Sequence, residues 1–279
     1  MENLSKLILI PTDFSDVVPC AVELAANLAK KTNARLVLLH IVKKPADILD
    51  ATAKVTLEAE HFSEEYGMKI EGIVRKGSIF STIADTVKEL DAFVVVMGTH
   101  GVKGMQKLTG SWSLKVVVTS SVPFIVVQEK KDDIKRIVFP IDFKKENLEK
   151  IGWVHFVASL FDANVYIFRE KVEKDKKIEQ KIRSNLIFTE KFLNSKKIYY
   201  QVEVAEGKQS FAIETLQYAK QLKADLIVIT TPKDISKSDY LLGRIEEEGI
   251  IDNSTKIPVM CINPRPAKLV GGFRAMGSI

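Results

Sequence analysis

Glycines, hydroxyls and basic side chains are concentrated in one stretch, GTHGVKGMQKLTGS, from Gly98 to Ser111. It follows the apolar run AFVVVM, which is typical of a buried strand. Gly98 and Gly101 allow backbone N–H groups to approach an anion closely, and they tolerate positive φ. Gly110 and Ser111 come where the next helix should begin, and free N–H groups at a helix start attract anions. The stretch predicts a phosphate cradle, with an unliganded connecting loop as the alternative.

Two further groups of residues follow predicted strands. Pro11, Thr12 and Asp13 come after the first strand, and His40 and Ile41 come at the end of the second. In open parallel sheets, ligands bind beyond the carboxyl ends of the strands, so these groups are expected to converge with the glycine-rich stretch. Asp13 suits a ribose or base donor, or a divalent cation bound to phosphate, and an N-cap is the alternative. For His40 the alternative is a packed, hydrogen-bonded ring.

Two standard phosphate-binding motifs are excluded. No Gly-Lys-Ser/Thr occurs, so the stretch is not a P-loop, and Gly98 and Gly101 are spaced too widely for G-x-G-x-x-G. The sequence also offers no convincing pair of nucleophile and base, which leaves a slow ATPase as the weakest of the functional hypotheses.

The chain carries the same pattern twice, which indicates a duplicated domain. Each copy opens on an apolar strand that runs into Pro-x-Asp-Phe, continues through a strand, an amphipathic helix and a buried strand, and closes on a short apolar strand. The matching segments are Leu7–Ser15 with Arg136–Lys144, Met68–Gly98 with Ile198–Thr230, and Ser121–Gln128 with Lys256–Asn263.

Within the first copy, short apolar runs alternate with segments of helical periodicity. This order predicts a parallel sheet covered by helices on both faces. The predicted strands are Leu7–Ile10, Arg35–Ile41, Ile70–Val74, Phe93–Met97 and Phe124–Val127, and the predicted helices are Val17–Lys30, Ala46–Tyr66, Ile79–Leu90 and Ser111–Ser120.

Composition limits the classes of function. The 279 residues include 41 basic and 36 acidic side chains, for a net charge of +5, which is a mixed surface rather than a nucleic-acid stripe. No apolar run is long enough to span a bilayer, and the start of the chain lacks the pattern of a signal peptide. The two cysteines, Cys20 and Cys261, form no metal-type pair and fit a reducing cytoplasm.

Together these residues resemble the universal stress protein family in its tandem form, over about residues 1–264. The marks of the resemblance are PTDFS at Pro11–Ser15, LLHIV at Leu38–Val42, GTHG at Gly98–Gly101, GS at Gly110–Ser111 and VPFIVV at Val122–Val127. The resemblance implies two tandem open five-stranded parallel sheets of the Rossmann-like, adenine-nucleotide alpha-hydrolase-like type, paired as an intramolecular pseudo-dimer. It implies domains at 1–130 and 134–264, followed by a tail at 265–279.

The same resemblance implies a stress-response factor that binds ATP or AMP, with Mg if the ligand is a triphosphate. Asp13 and Ile41 would contact adenine or ribose, and Pro11, Thr12 and Trp112 would be further nucleotide-binding residues. The phosphates would be held by Gly98, Gly101, Gly110 and Ser111. The nucleotide-binding members of the family carry Gly-x2-Gly-x9-Gly-Ser/Thr, and this sequence departs from that pattern in two ways. Eight residues, not nine, separate Gly101 from Gly110, and Trp112 stands where a small or β-branched residue is usual. A nucleotide-free scaffold or regulatory protein with a vestigial site is therefore the alternative.

The second copy departs further from the pattern. Pro140 and Asp142 remain, but the loop at Thr230–Arg244 lacks the paired glycines. We therefore expect nucleotide in the first domain only. The resemblance also implies pairing of Phe124–Val127 with Val259–Ile262 inside one chain, and a homodimer is possible in addition; no nucleic-acid or membrane partner is expected.

Overall fold

The computed structural model describes residues 6–99, 122–131, 133–142, 147–171, 175–230, 250 and 255–263. The first copy of the pattern alternates strands and helices in the predicted order. Its elements are β1 (Leu7–Thr12), α1 (Val18–Thr32), β2 (Arg35–Val42), a 3-10 turn (Pro45–Asp47), α2 (Ile48–Tyr66), β3 (Ile70–Lys76), α3 (Ile79–Glu89), β4 (Ala92–Gly98) and β5 (Phe124–Val127). The helix predicted over 111–120 lies outside the described residues.

The second copy repeats this order. Its elements are β6 (Arg136–Ile141), α4 (Asn147–Phe161), β7 (Asn164–Arg169), α5 (Lys176–Ser195), β8 (Tyr200–Val204), α6 (Phe211–Leu222), β9 (Leu226–Thr230) and β10 (Val259–Ile262). The predicted α/β class with a large, mostly parallel sheet is confirmed.

Local signals explain where the helices begin and end. Gly67 closes α2 in the left-handed conformation, at a φ of 63°, which glycine adopts without steric cost. The hydroxyl of Ser78 caps α3 by accepting from the Ser81 amide. Helix α2 begins two residues later than predicted, because the proline at position 45 opens a 3-10 turn rather than the helix itself.

The described strands form one sheet in the order β3-β2-β1-β4-β5-β10-β9-β6-β7-β8. Strand β5 lies antiparallel to β10, with Ile125 opposite Met260, and all the other described pairs are parallel. In each half the first strand lies between the second and the fourth. The connection from the first strand to the second and the connection from the fourth to the fifth therefore run toward opposite sides of the sheet.

The sheet is covered on both faces, as the continuous apolar strands predict. Along β1, Ile8 and Ile10 belong to one buried cluster, which includes the apolar face of α1. Leu7 and Leu9 belong to the other, with Ile83 and Val87 of α3. Neighbouring side chains of a strand point to opposite faces, so this alternation shows which face of the sheet each residue of β1 covers.

Candidate functional site

The carboxyl ends of β1 and β4 form the switch point of the first half. β1 pairs with β2 on one side and with β4 on the other, and the chain leaves β1 toward β2 but leaves β4 toward β5. The loops after β1 and β4 therefore diverge and leave a crevice, the usual ligand position in such sheets. β1 extends past the predicted end to Pro11 and Thr12, which lie opposite Leu39 and His40 of β2.

The turn after β1 is held by its own side chains. The Thr12 hydroxyl accepts from the Phe14 amide at 3.1 Å, and the Asp13 carboxylate accepts from the Ser15 amide at 3.2 Å. Such side-chain bonds to the following backbone define the local turn and support the left-handed φ of 61° at Phe14. Asp13 is not the N-cap of α1, because Val17 holds that position without a side-chain bond.

Two aromatic rings stand beside this turn. The Nδ1 atom of His40 lies 2.9 Å from the carbonyl oxygen of Thr12. Since a carbonyl only accepts, Nδ1 is the donor of this bond. The rings of His40 and Phe14 pack with centroids 4.4 Å apart. His40 is thus a hydrogen-bonded ring, as the alternative for this residue predicted, and it also ties β2 to the turn. Ile41, the next residue, is half-buried and packs against the second core cluster.

Glu58 of α2 belongs to a strand-end cluster with Thr12, Asp13 and His40, although no motif of the sequence marks it. Its carboxylate accepts from the Thr12 hydroxyl at 2.8 Å. Burial raises the pKa of Glu58, the bond from Thr12 opposes that rise, and the nearby Asp13 carboxylate adds to it. One signal could have found it: Val55 and Ala59 are buried, so helical spacing puts Glu58 at the margin of the buried face.

Gly98 ends β4, and the reason for a glycine here differs from the prediction. Its φ is not positive. A Cβ atom on Gly98 would instead meet Val17 at 2.7 Å from Cγ1 and 3.1 Å from the carbonyl oxygen. The glycine therefore allows β4 to pack against the start of α1. The next residue, Thr99, is buried and donates its amide to the Val127 carbonyl.

The remaining predicted phosphate ligands lie outside the described residues. They are Gly101, Gly110, Ser111 and Trp112. The structure accordingly brings together the predicted residues at the ends of β1 and β2 with Gly98 at the end of β4.

The second half builds the corresponding strand end differently. Lys150, which is buried, stands eight residues after Asp142, where Ala21 stands after Asp13 in the first half. Its ammonium donates to the Pro140 carbonyl at 2.8 Å and lies 4.8 Å from the centre of the Phe139 ring. A charged side chain thus fills the base of this strand end.

The helix that packs over that strand end also differs. Asn185 of α5 follows buried Ile182 by three residues, as Glu58 follows buried Val55 in α2. Its amide donates to the Asp142 carbonyl at 2.9 Å. The helix over this strand end therefore bonds it through a neutral amide that donates to a backbone carbonyl.

Comparison with known proteins decides the family. The model of the universal stress protein family matches residues 5–128. Universal stress protein Sll1654 of Synechocystis is 30% identical over 134 residues, which cover 44% of this chain and 85% of the relative. The chain belongs to the universal stress protein family.

Further likenesses agree with this assignment. Universal stress protein MJ0531 of Methanocaldococcus jannaschii is 29% identical over 148 residues, covering 47% of this chain and 87% of the relative. A solved universal stress protein from Archaeoglobus fulgidus is similar over 94% of this chain and 98% of its own, with a TM-score of 0.73 and 19% identity. That likeness concerns the fold, and it extends over both halves of this universal stress protein.

Proposed function

We propose that this universal stress protein binds an adenine nucleotide, AMP or ATP, at the carboxyl edge of its first five strands. The observation that carries the proposal is the turn Thr12–Ser15, which side-chain bonds hold at the switch point beside Gly98. Pro11, Thr12, Asp13 and Ile41 contact the nucleoside in this proposal.

The phosphates belong to the loop after β4. In this proposal Gly98, Gly101, Gly110 and Ser111 hold them, and Trp112 borders the pocket. A triphosphate would bring Mg with it; we assign no protein ligand to that ion, since no group of three or more candidate metal ligands occurs among the described residues.

The second half does not bind nucleotide in this manner. The buried Lys150 at its strand end supports this, and so does the absence of paired glycines from the sequence at Thr230–Arg244. We divide the chain accordingly into 1–130, with the site, 134–264, without it, and a tail at 265–279. The pairing of β5 with β10 would make the chain an intramolecular counterpart of a dimer.

Matched variants of the two halves test the proposal. Asp13→Ala removes the carboxylate at the nucleoside end, and Asp142→Ala removes its counterpart. Calorimetry with AMP and with ATP should give one site per chain for the parent protein, a tenfold or greater loss of affinity for Asp13→Ala, of order 1.4 kcal/mol or more, and no change for Asp142→Ala. Absence of binding by the parent protein at millimolar nucleotide would instead indicate a nucleotide-free scaffold. An equal loss in both variants would contradict the restriction to the first half.

A further inference from the structure

Glu58 is the titratable group of the strand-end cluster that no motif of the sequence explains. It lies on α2, outside both the turn after β1 and the glycine-rich loop, and its carboxylate receives the Thr12 hydroxyl at 2.8 Å. Thr12 in turn receives the Phe14 amide. Glu58 is therefore bonded to the residue that shapes the proposed nucleoside-binding turn.

Two carboxylates consequently face one small region. Asp13 is the residue after Thr12, and its negative charge raises the pKa of Glu58 in addition to the effect of burial. A nucleotide brings further negative charge. In the proposed site the nucleoside lies at this turn and the phosphates lie beyond Gly98, at the same edge of the sheet. Their charge is poorly screened across a half-buried region, so the ionised form of Glu58 is the form that a bound nucleotide disfavours.

Among the other groups around Glu58, His61 lowers the pKa of Glu58, but its effect is smaller than those of burial and of Asp13. His61, on the same helix, is largely exposed and pairs with Glu65 at 3.8 Å. His40 of β2 directs Nδ1 to the Thr12 carbonyl. The remaining charged groups on the elements packed around α2 include Arg75 of β3, bonded to Glu89, and Lys30 of α1, near the Tyr66 ring.

We infer that Glu58 is a positioning residue that couples nucleotide binding to proton uptake, so that the first half binds an anionic nucleotide more tightly as the pH falls. The inference rests on the proposed function, because it concerns the same site. The second half differs at this point: Asn185 bonds the residue after its first strand, at the Asp142 carbonyl, through a neutral amide.

The sign follows from linkage. A proton on Glu58 removes one negative charge from the region that the nucleotide enters, so the protonated protein binds more tightly. By reciprocity the bound nucleotide raises the pKa of Glu58 further. Affinity therefore rises as the pH falls through the pKa of Glu58.

The test compares the parent protein with Glu58→Gln, which keeps an oxygen to accept from Thr12 and cannot ionise. AMP without Mg is titrated calorimetrically from about pH 8 to about pH 4.5, close to the ordinary pKa of a glutamate, in two buffers of different ionisation enthalpy. The phosphate of AMP also titrates in this range, so the variant supplies the reference. Glu60→Gln, an exposed change on the same helix, is the matched control.

As the pH falls, the ratio of the parent protein's affinity for AMP to that of Glu58→Gln should rise about threefold to tenfold. Binding of AMP should also take up more protons in the parent protein than in Glu58→Gln. Glu58→Gln should bind at high pH as the parent does at low pH, and Glu60→Gln should follow the parent. Identical pH profiles, or weaker binding by Glu58→Gln at every pH, would overturn the inference.

A spectroscopic readout separates this result from general damage. The carboxyl carbon of Glu58 is followed by NMR in the parent protein, with and without AMP, and its midpoint should move to higher pH when AMP is bound. An unmoved midpoint with AMP bound refutes the coupling alone. If neither the parent nor Glu58→Gln binds AMP at any pH, the proposed function fails, and this inference falls with it.

Discussion

At the scale of single residues, Gly98 shows how one residue type can satisfy two demands. The sequence predicts a glycine here for its backbone freedom next to a phosphate. In the folded chain it is also the point where β4 meets the residue before α1, with room for no side chain between them. The proposed phosphate loop therefore starts from a backbone position that packing has already fixed.

We predict that Gly98→Ala lowers the free energy of unfolding by about 1–3 kcal/mol, because the added methyl group must displace Val17. Urea denaturation of Gly98→Ala, Val17→Ala and the double variant measures the effect. Val17→Ala removes the nearer contact, so the double variant should recover at least about 0.5 kcal/mol relative to the sum of the single changes. Strict additivity would show that the strain arises elsewhere.

At the scale of elements, one carboxylate joins the segment between the two halves to the second half. Asp225, next to β9, accepts from the amides of Lys135 and Arg136 at 3.0 and 2.9 Å, and from the Lys131 ammonium at 2.8 Å. Burial alone would raise the pKa of Asp225, but the Lys131 ammonium and the two amides lower it overall. The first half has Phe93 at the corresponding position, so this set of bonds to a carboxylate is specific to the segment that joins the two halves.

Asp225→Asn should destabilise the protein by about 2 kcal/mol at neutral pH, since the half-buried Lys131 ammonium loses its anionic partner and the Lys135 and Arg136 amides lose a charged acceptor. Because the pKa of Asp225 is lowered on folding, its contribution is present above the ordinary pKa and is lost as the pH falls through the lowered value. The gap between parent and variant should therefore narrow in acid, as thermal denaturation would measure. Asp162→Asn, at an exposed turn, should stay within about 0.5 kcal/mol of the parent; a gap that persists in acid would contradict the assigned cause.

Element order could be predicted from the sequence, because the strands are continuously apolar and the helices keep their periodicity. The ends of elements are harder to predict: the apolar run predicts that β1 ends at Ile10, yet the strand extends to Thr12, beyond its pairing with β4. The turn residues Thr12 and Asp13 stood out as a motif. Glu58 did not, because its role depends on how α2 packs over β2 and β3 and reaches the end of β1, which no local pattern records.

At the scale of the whole molecule, the two halves share one sheet. The described seam is short: Val259, Met260 and Cys261 of β10 lie opposite Val126, Ile125 and Phe124 of β5. All six side chains are buried. Each half therefore covers a strand edge that would otherwise present unpaired backbone groups.

This arrangement predicts the behaviour of an isolated first half. A fragment of residues 1–130 should self-associate through the exposed edge of β5, because an uncovered apolar edge strand pairs with another chain. Light scattering after size-exclusion chromatography would measure its mass, with the full chain as control. A fragment that stays monomeric at high concentration would show that the edge of β5 needs no partner.

The direction of the strands at this seam has a consequence for recognition. Since β5 and β10 run antiparallel, the carboxyl ends of the first five strands lie at one edge of the sheet and those of the second five lie at the opposite edge. The proposed nucleotide site and its counterpart thus open in opposite directions. Occupation of the proposed nucleotide site at one edge therefore leaves the opposite edge of the sheet uncovered.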